Sequence, residues 1–372
     1  MTTATSSAVA IDEVAVSVYE IPVDGPDGKE SDGTLEWTST TLVVVEVEAG
    51  GASGLGFTYG HRAVAEIVLE TLADTIRGRD PFAIGEAWLA MTQGLRNVGR
   101  PGVGFMAVSA VDIALWDLKA RLLGVALVDL LDRCRDATPI YGSGGFCNYP
   151  LDRLQEQLGG WAQDGIPRVK LKVSRHPHED PERMDAVREA IGDDVELYVD
   201  SNGALTRKQA LAWADRFAGD WGVSWFEEPI SSADLEGLRL LRDRGPGGLD
   251  IAAGEYAFVP RDFLNLVAAG AVDCLQADVT RAGGITGFLK AAGLADAHAL
   301  DISGHCAPNL TAQAMTGCAR VRHLEYFHDH VRVERMLFDG VLDPERGRLC
   351  PDRSRPGHGL ELKRADAERY AV

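Results

Sequence analysis

The chain has 372 residues, 45% hydrophobic and 25% charged, a globular composition that excludes a disordered, collagenous or coiled-coil chain. With 37 Lys and Arg against 56 Asp and Glu, the formal net charge is −19, which repels phosphate backbones and argues against a nucleic-acid partner. At roughly 150 residues per domain, the length predicts two domains or one large domain with an elaboration.

Met1 to Ser7 carries no basic residue and no apolar core, so it reads as a frayed tail and not a secretory signal. Val14–Tyr19 and Thr40–Val47 read as strands. Between them, Asp24-Gly-Pro-Asp-Gly-Lys-Glu-Ser-Asp-Gly33 has the turn residues of a mobile loop. A glycine turn, Gly56 to Arg62, follows the second strand and carries His61, within reach of a substrate. Helices are expected over 62–77, 83–94 and 104–133, the last on the spacing of Val108, Val111, Leu115, Leu118 and Leu122. This first part, 1–130, reads as an α+β capping domain, joined by the tail 341–372.

From about 138, short β runs alternate with amphipathic helices, as in successive βα units. The strand candidates are Ile140–Gly142, Val169–Val173, Glu196–Val199, Trp225–Phe226, Ile251–Ala252, Cys274–Gln276, Asp301–Ser303 and His323–Tyr326. Eight of them predict a (β/α)8 barrel, a modified TIM barrel, over 131–340. Asp180-Pro181-Glu182 punctuates one helix start. A doubly wound nucleotide fold is disfavoured: neither Gly142-Ser-Gly-Gly-Phe-Cys147 nor Gly283-Gly-Ile-Thr-Gly287 completes G-x-G-x-x-G. No run approaches the ~18 apolar residues of a membrane span. Six scattered cysteines without a C-x-x-C pair predict reduced thiols and a cytoplasmic location.

Barrel active sites lie at the C-terminal strand ends. There the chain places Lys170 and Lys172, Asp200, Glu227, Glu255, Asp278, His305 and Glu325, with steps from Lys172 of 28, 27, 28, 23, 27 and 20 residues. That is about one βα unit per step, so each residue projects into one shared mouth. Asp200, Glu227 and Glu255 come from consecutive strands, and their convergence without a cation would force protonation. An all-oxygen set suits Mg²⁺, with Mn²⁺ as the alternative, over zinc. Glu228 should point away from Glu227, while Asn202 shares the direction of Asp200. Asp200-Ser-Asn-Gly203 fails as a calcium loop, because Ala204 and Leu211 stand where oxygen ligands belong.

Strand alternation sends Lys170 and Lys172 into the barrel, where burial beside a second cation favours loss of a proton. Asp278 beside His305 would fix the imidazole tautomer and leave the other nitrogen as a base. His176, His178, His328 and His330 fall in loops before helices and are not read as ligand pairs. Two bases facing each other across a metal suit removal of a proton next to a carboxylate.

Taken together, Lys170-Leu-Lys172, Val199-Asp-Ser-Asn-Gly203, Trp225-Phe-Glu-Glu-Pro229, Ala253-Gly-Glu255, Asp278 with Gly283-Gly284, His305 and His323-Leu-Glu325 resemble the enolase superfamily, mandelate racemase subgroup. Ala114-Leu-Trp-Asp-Leu-Lys119 resembles the family's helix leading into the barrel. The resemblance implies Mg²⁺ on Asp200, Glu227 and Glu255, and Lys172 as one acid/base group with Lys170 near the substrate carboxylate. It implies Asp278–His305 as the second acid/base group and Glu325 as an acid bonded to the substrate carboxylate. Arg281 stands where the racemase has lysine and joins Asn202 and His61 as substrate-binding candidates. The lysine that the muconate-lactonising branch carries on the sixth strand is absent. The expected reaction is dehydration of an aldonate or aldarate to a 2-keto-3-deoxy acid. The alternatives are racemisation or epimerisation of a 2-hydroxy acid and non-catalytic, metal-dependent sugar-acid binding. The polar loop Asp24–Trp37 fits a polyhydroxylated substrate, and relatives suggest a homo-oligomer, dimer or octamer.

Overall fold

The computed structural model describes residues 9–372; the Met1–Ser7 tail lies outside them. Three antiparallel strands form the capping sheet: β1 (Ile11–Pro22), β2 (Ser39–Ala49) and β3 (Ala52–Tyr59). Gly50 and Gly51 join β2 to β3 with φ of 57° and 79°, the positive pair that a two-residue hairpin needs. Of the expected glycine turn, 56–59 is strand and the chain turns only at 60–62. The strand's glycines answer to a neighbour: a Cβ on Gly56 would lie 2.1 Å from the Ala110 carbonyl oxygen, and one on Gly54 2.2 Å from that of Ala114.

That neighbour is α2 (Val103–Leu123), which follows α1 (Ile84–Gly94). Most of α2 is buried because it is held between the capping sheet and the barrel. Ser109 Oγ accepts the Gly283 N–H at 2.9 Å, Asp112 accepts the Thr286 N–H at 2.9 Å, and Trp116 donates to Thr286 Oγ1 at 3.0 Å. It stops at Gly124, φ 67°, a left-handed C-terminus well short of the expected 133.

The barrel strands are β4 (Thr138–Gly144), β5 (Arg168–Lys172), β6 (Glu196–Asp200), β7 (Val223–Glu227), β8 (Asp250–Ala253), β9 (Cys274–Ala277), β10 (Asp301–Gly304) and β11 (Val321–Phe327). All pair in parallel in sequence order, and β11 returns to β4 with Leu324 opposite Ile140. The eight-stranded barrel is thus closed, and every expected strand is present. Helices intervene, from α3 (Leu151–Gln163) and α4 (Asp180–Ile191) through α5 (Arg207–Trp221) to the last, which begins at His328. A Thr206/Gln209 capping box starts α5. Asp180, expected to cap α4, instead accepts the Ser174 N–H at 2.8 Å and pairs with Arg183.

The tail touches both parts. Arg348–Leu349 pairs with the start of β4, His358 donates its N–H to Asp117 at 2.8 Å, and Val372 donates to Val18 O at 3.1 Å. All six cysteines are free thiols. No described helix is long and apolar enough to cross a membrane.

Candidate active site

Register decides how the strand-end residues meet. Lys172 is paired with Asp200 and Asp200 with Glu227 across β5, β6 and β7, so the three side chains stand side by side on the inner face. Glu255 follows β8, Asp278 follows β9 and His305 follows β10, while Glu325 lies within β11. Every one of these side chains is buried.

Ligand oxygens of Asp200, Glu227 and Glu255 lie within 4.8 Å of one another. Glu255 Oε2 has His305 Nε2 at 3.1 Å but no well-directed donor. Burial pushes the Glu227 carboxyl up to about 8, against the opposing pull of Lys170. Three buried carboxylates at this separation are costly unless a cation joins them, and an oxygen-only set fits a hard dication such as Mg²⁺.

Both lysines point inward. Lys170 Nζ donates to Glu227, sits 2.8 Å from Glu325 Oε1 and 3.5 Å from Asp200 Oδ2. Lys172 Nζ donates to Asp200 Oδ2 at 2.5 Å. Their expected readiness to deprotonate is not met in this setting. Burial alone would lower both ammonium groups, but the surrounding carboxylates outweigh it and hold them above the ordinary lysine value.

Across the mouth, His305 Nδ1 lies 2.7 Å from Asp278 Oδ2. Asp278 is itself fixed by the Thr280 N–H and hydroxyl, each 2.7 Å from its Oδ1. Burial opposes the imidazolium, but the adjoining Cys306 sulfur and the Glu255, Glu325 and Asp278 carboxylates more than offset it and raise His305 well above the usual histidine range. Arg281 donates to the Glu255 carbonyl at 3.1 Å and lies 3.6 Å from Asp278 Oδ2.

Two expectations need correction. Glu228 does not point away: its φ is 35°, and that turn leaves it buried and repelled by Glu255, Asp200 and Glu227, which with burial raise its carboxyl well above the ordinary value. Nor is the Asp24–Gly33 segment a free loop. Glu30–Ser31 pairs with Glu36–Trp37, Ser31 accepts the Cys147 N–H on its carbonyl and donates its own N–H to Asn148 Oδ1, and Tyr149 donates to Glu30 at 3.1 Å. Glu30 and Ser31 are fully buried as a result.

Lys172, Asn202, Glu255, Arg281, His305 and the exposed His61 all line one cavity of about 630 Å³. Asn202 donates to both oxygens of Asp200, at 2.8 Å from N and 3.2 Å from Nδ2. His176 and His178 are exposed and away from it, and His328 pairs with Asp24 at 2.9 Å. His330 does line the cavity, as do Thr40, Tyr59, Tyr256 and Asp329. Composition and spacing gave no sign of these. Ser143, donating to Glu325 at 2.6 Å, and Trp225, donating to Glu227 at 2.9 Å, carried a usable signal: Trp225 shares a face with Glu227 by strand alternation.

The description "Mandelate racemase / muconate lactonizing enzyme, N-terminal domain" matches residues 31–132, and "Enolase C-terminal domain-like" matches 153–367. L-talarate/galactarate dehydratase of Salmonella typhimurium is 32% identical over 96% of this chain and 90% of its own length. The 3,6-anhydro-alpha-L-galactonate cycloisomerase of Streptomyces coelicolor is 33% identical over 97% and 99%. A crystal structure of a mandelate racemase/muconate lactonizing enzyme-like protein from Rubrobacter xylanophilus is 58% identical, with TM-score 0.95 over 98% of this chain and 100% of that one. The Salmonella dehydratase, solved with Mg and L-lyxarohydroxamate, superposes with TM-score 0.90 at 31% identity, covering 100% and 95%. With barrel and cap both matched, the chain is an enzyme of the enolase superfamily and belongs to its mandelate racemase subgroup.

Proposed function

We propose that the chain removes the proton α to the carboxylate of an acid sugar, with Mg²⁺, and expels the β-hydroxyl to give a 2-keto-3-deoxy acid. One observation carries the reading: two proton carriers, Lys172 and His305, open onto one cavity from strands on either side of a three-carboxylate cluster. Asp200, Glu227 and Glu255 would hold the Mg²⁺, which when bound supplies the positive charge that an α-carbanion requires. Lys170 and Glu325, 2.8 Å apart, flank the substrate carboxylate. Lys172 Nζ, once released from Asp200 and freed of its own proton, takes the α-proton; His305 Nε2 takes it instead only where the imidazole enters neutral. His305, cationic beside Asp278, then gives its Nε2 proton to the departing 3-hydroxyl, which leaves as water. Asn202, Arg281 and His61 position the rest of the substrate.

Support comes from relatives named as dehydratases of galactarate, gluconate and galactonate. The cycloisomerase relatives favour a second reading with the same first step, in which a ring oxygen leaves instead of water. A third returns the proton on the opposite face, as a racemase or epimerase.

The test is incubation with Mg²⁺ and a library of aldonic, aldaric and 2-hydroxy acids, with semicarbazide detection of 2-keto acids. Conversion is expected, with its loss in Lys172→Met and in His305→Asn. Normal turnover in either variant would overturn the assignment, and solvent-deuterium exchange with inversion but no keto acid would favour the racemase.

A further inference from the structure

The turn that follows His305 is strained. Cys306 and Ala307 both take left-handed backbone, with φ of 51° and 41°, and neither is a glycine. Ala307 also precedes Pro308, the first residue of the helix Pro308–Met315, and a residue before proline favours extended backbone. Such a turn persists only where its surroundings over-determine it. Here Thr311 donates its hydroxyl to the Cys306 carbonyl at 2.7 Å, and His330 Nδ1 accepts the Ala307 N–H at 3.1 Å. With Nδ1 accepting, the His330 ring is neutral and carries its hydrogen on Nε2. Burial acts the same way, holding it down at about 3.

The cap braces His330 from behind. Tyr59, the last residue of β3, stacks on the imidazole with ring centroids 3.4 Å apart and planes 11° from parallel. Its hydroxyl donates to Glu334 Oε1 at 3.1 Å, and Glu334 Oε2 accepts from the Asn309 side chain in the helix after His305. The preceding cap residue serves the other side of the Asp278–His305 pair. Thr58 donates its hydroxyl to the Thr280 carbonyl at 2.7 Å, and Thr280 is the residue whose N–H and hydroxyl fix Asp278 Oδ1. Thr58, Tyr59 and His330 are all buried.

Resting on the reading of His305 as an acid/base group, we infer that Thr58, Tyr59 and His330 are positioning residues for the Asp278–His305 pair. Tyr59 acts through His330 on the turn beyond His305, and Thr58 acts through Thr280 on Asp278. The cap thus sets the aim of the imidazole as well as walling the cavity.

The test uses two replacements of one ring. His330→Phe keeps the stack on Tyr59 but removes the acceptor, whereas His330→Asn returns an oxygen close to the place of Nδ1. Each Mg²⁺-loaded variant is assayed on the acid that the parent converts. Histidine-labelled protein is followed by NMR for the low-field proton between His305 Nδ1 and Asp278, identified by its loss in Asp278→Asn. His330→Phe should lower kcat by ~10²-fold, the scale of a misplaced catalytic group, with KM little changed, and should shift or broaden that proton. His330→Asn should restore both, and Thr58→Val should shift the proton from the Asp278 side. A parental kcat in His330→Phe, with or without a raised KM, or an unmoved His305 proton, would overturn the inference. Should His330→Phe not fold, Thr311→Val removes the other anchor of the turn and is judged by the same two readouts. A displaced His305 proton, in an enzyme whose parent neither forms keto acid nor exchanges α-deuterium, would keep the positioning and sink the catalytic reading instead.

Discussion

His305 receives two influences of the same sign. Asp278 holds its Nδ1, and Glu255 and Glu325 flank its Nε2 at 3.1 and 3.4 Å. A histidine held cationic is poised to donate a proton, whereas Lys172, hydrogen-bonded to Asp200, must be released before it can accept one. Binding of a dication by the carboxylates would weaken that hold, because the same oxygens cannot serve both charges fully. If Lys172 takes the α-proton, His305→Asn should lower keto-acid formation by ~10²–10⁴-fold, the scale of a lost general acid, yet retain α-deuterium exchange into the substrate. Loss of both signals in NMR and coupled assay would make His305 the abstracting base. The charged series at the strand ends was legible in the sequence, since alternation and spacing need only the chain's own geometry. The orientation of Glu228 was not, because alternation ends where the strand does and its φ of 35° is set by the turn beyond.

Among the elements, the loop of residues 24–37 and strand β3 depart furthest from a local reading. In the loop, burial and then Asp329 push the Glu30 carboxyl from 4.5 up to about 9. Folding thus takes up a proton between those values, and stability should fall as pH rises through that window. Glu30→Gln should flatten the dependence and melt above the parent by pH 9. Parallel Tm-versus-pH curves would show that Glu30 does not carry it. In β3, Gly54 and Gly56 resemble turn residues, yet they are required because α2 passes too close for a Cβ. Gly56→Ala should cost at least about 2 kcal/mol in denaturant unfolding, as forced overpacking does. An unchanged midpoint would mean that α2 can shift aside.

Considered whole, the molecule is a closed barrel whose mouth is walled by a cap, and both contribute to one cavity. Mg²⁺ that binds only the folded chain should raise its stability by about 2.7 kcal/mol at one hundred times Kd. Thermal melts with and without chelator check this, and Glu227→Gln should abolish the Mg²⁺-dependent shift in Tm. Retention of the shift would place the cation elsewhere. By itself the sequence determined the eight barrel strands and the inward direction of Lys170 and Lys172. It also determined the succession of Asp200, Glu227, Glu255, Asp278, His305 and Glu325 around the mouth. Each of these follows from period-two alternation and a repeating βα length, which are properties of neighbouring residues. Contacts across the fold settled that Ala52–Tyr59 is a strand, that Glu30 is buried, that α2 ends at Gly124, and that Asp329 and His330 face the cavity. Those outcomes depend on contacts between segments far apart in the chain, where close backbone approach and shared burial override local preference.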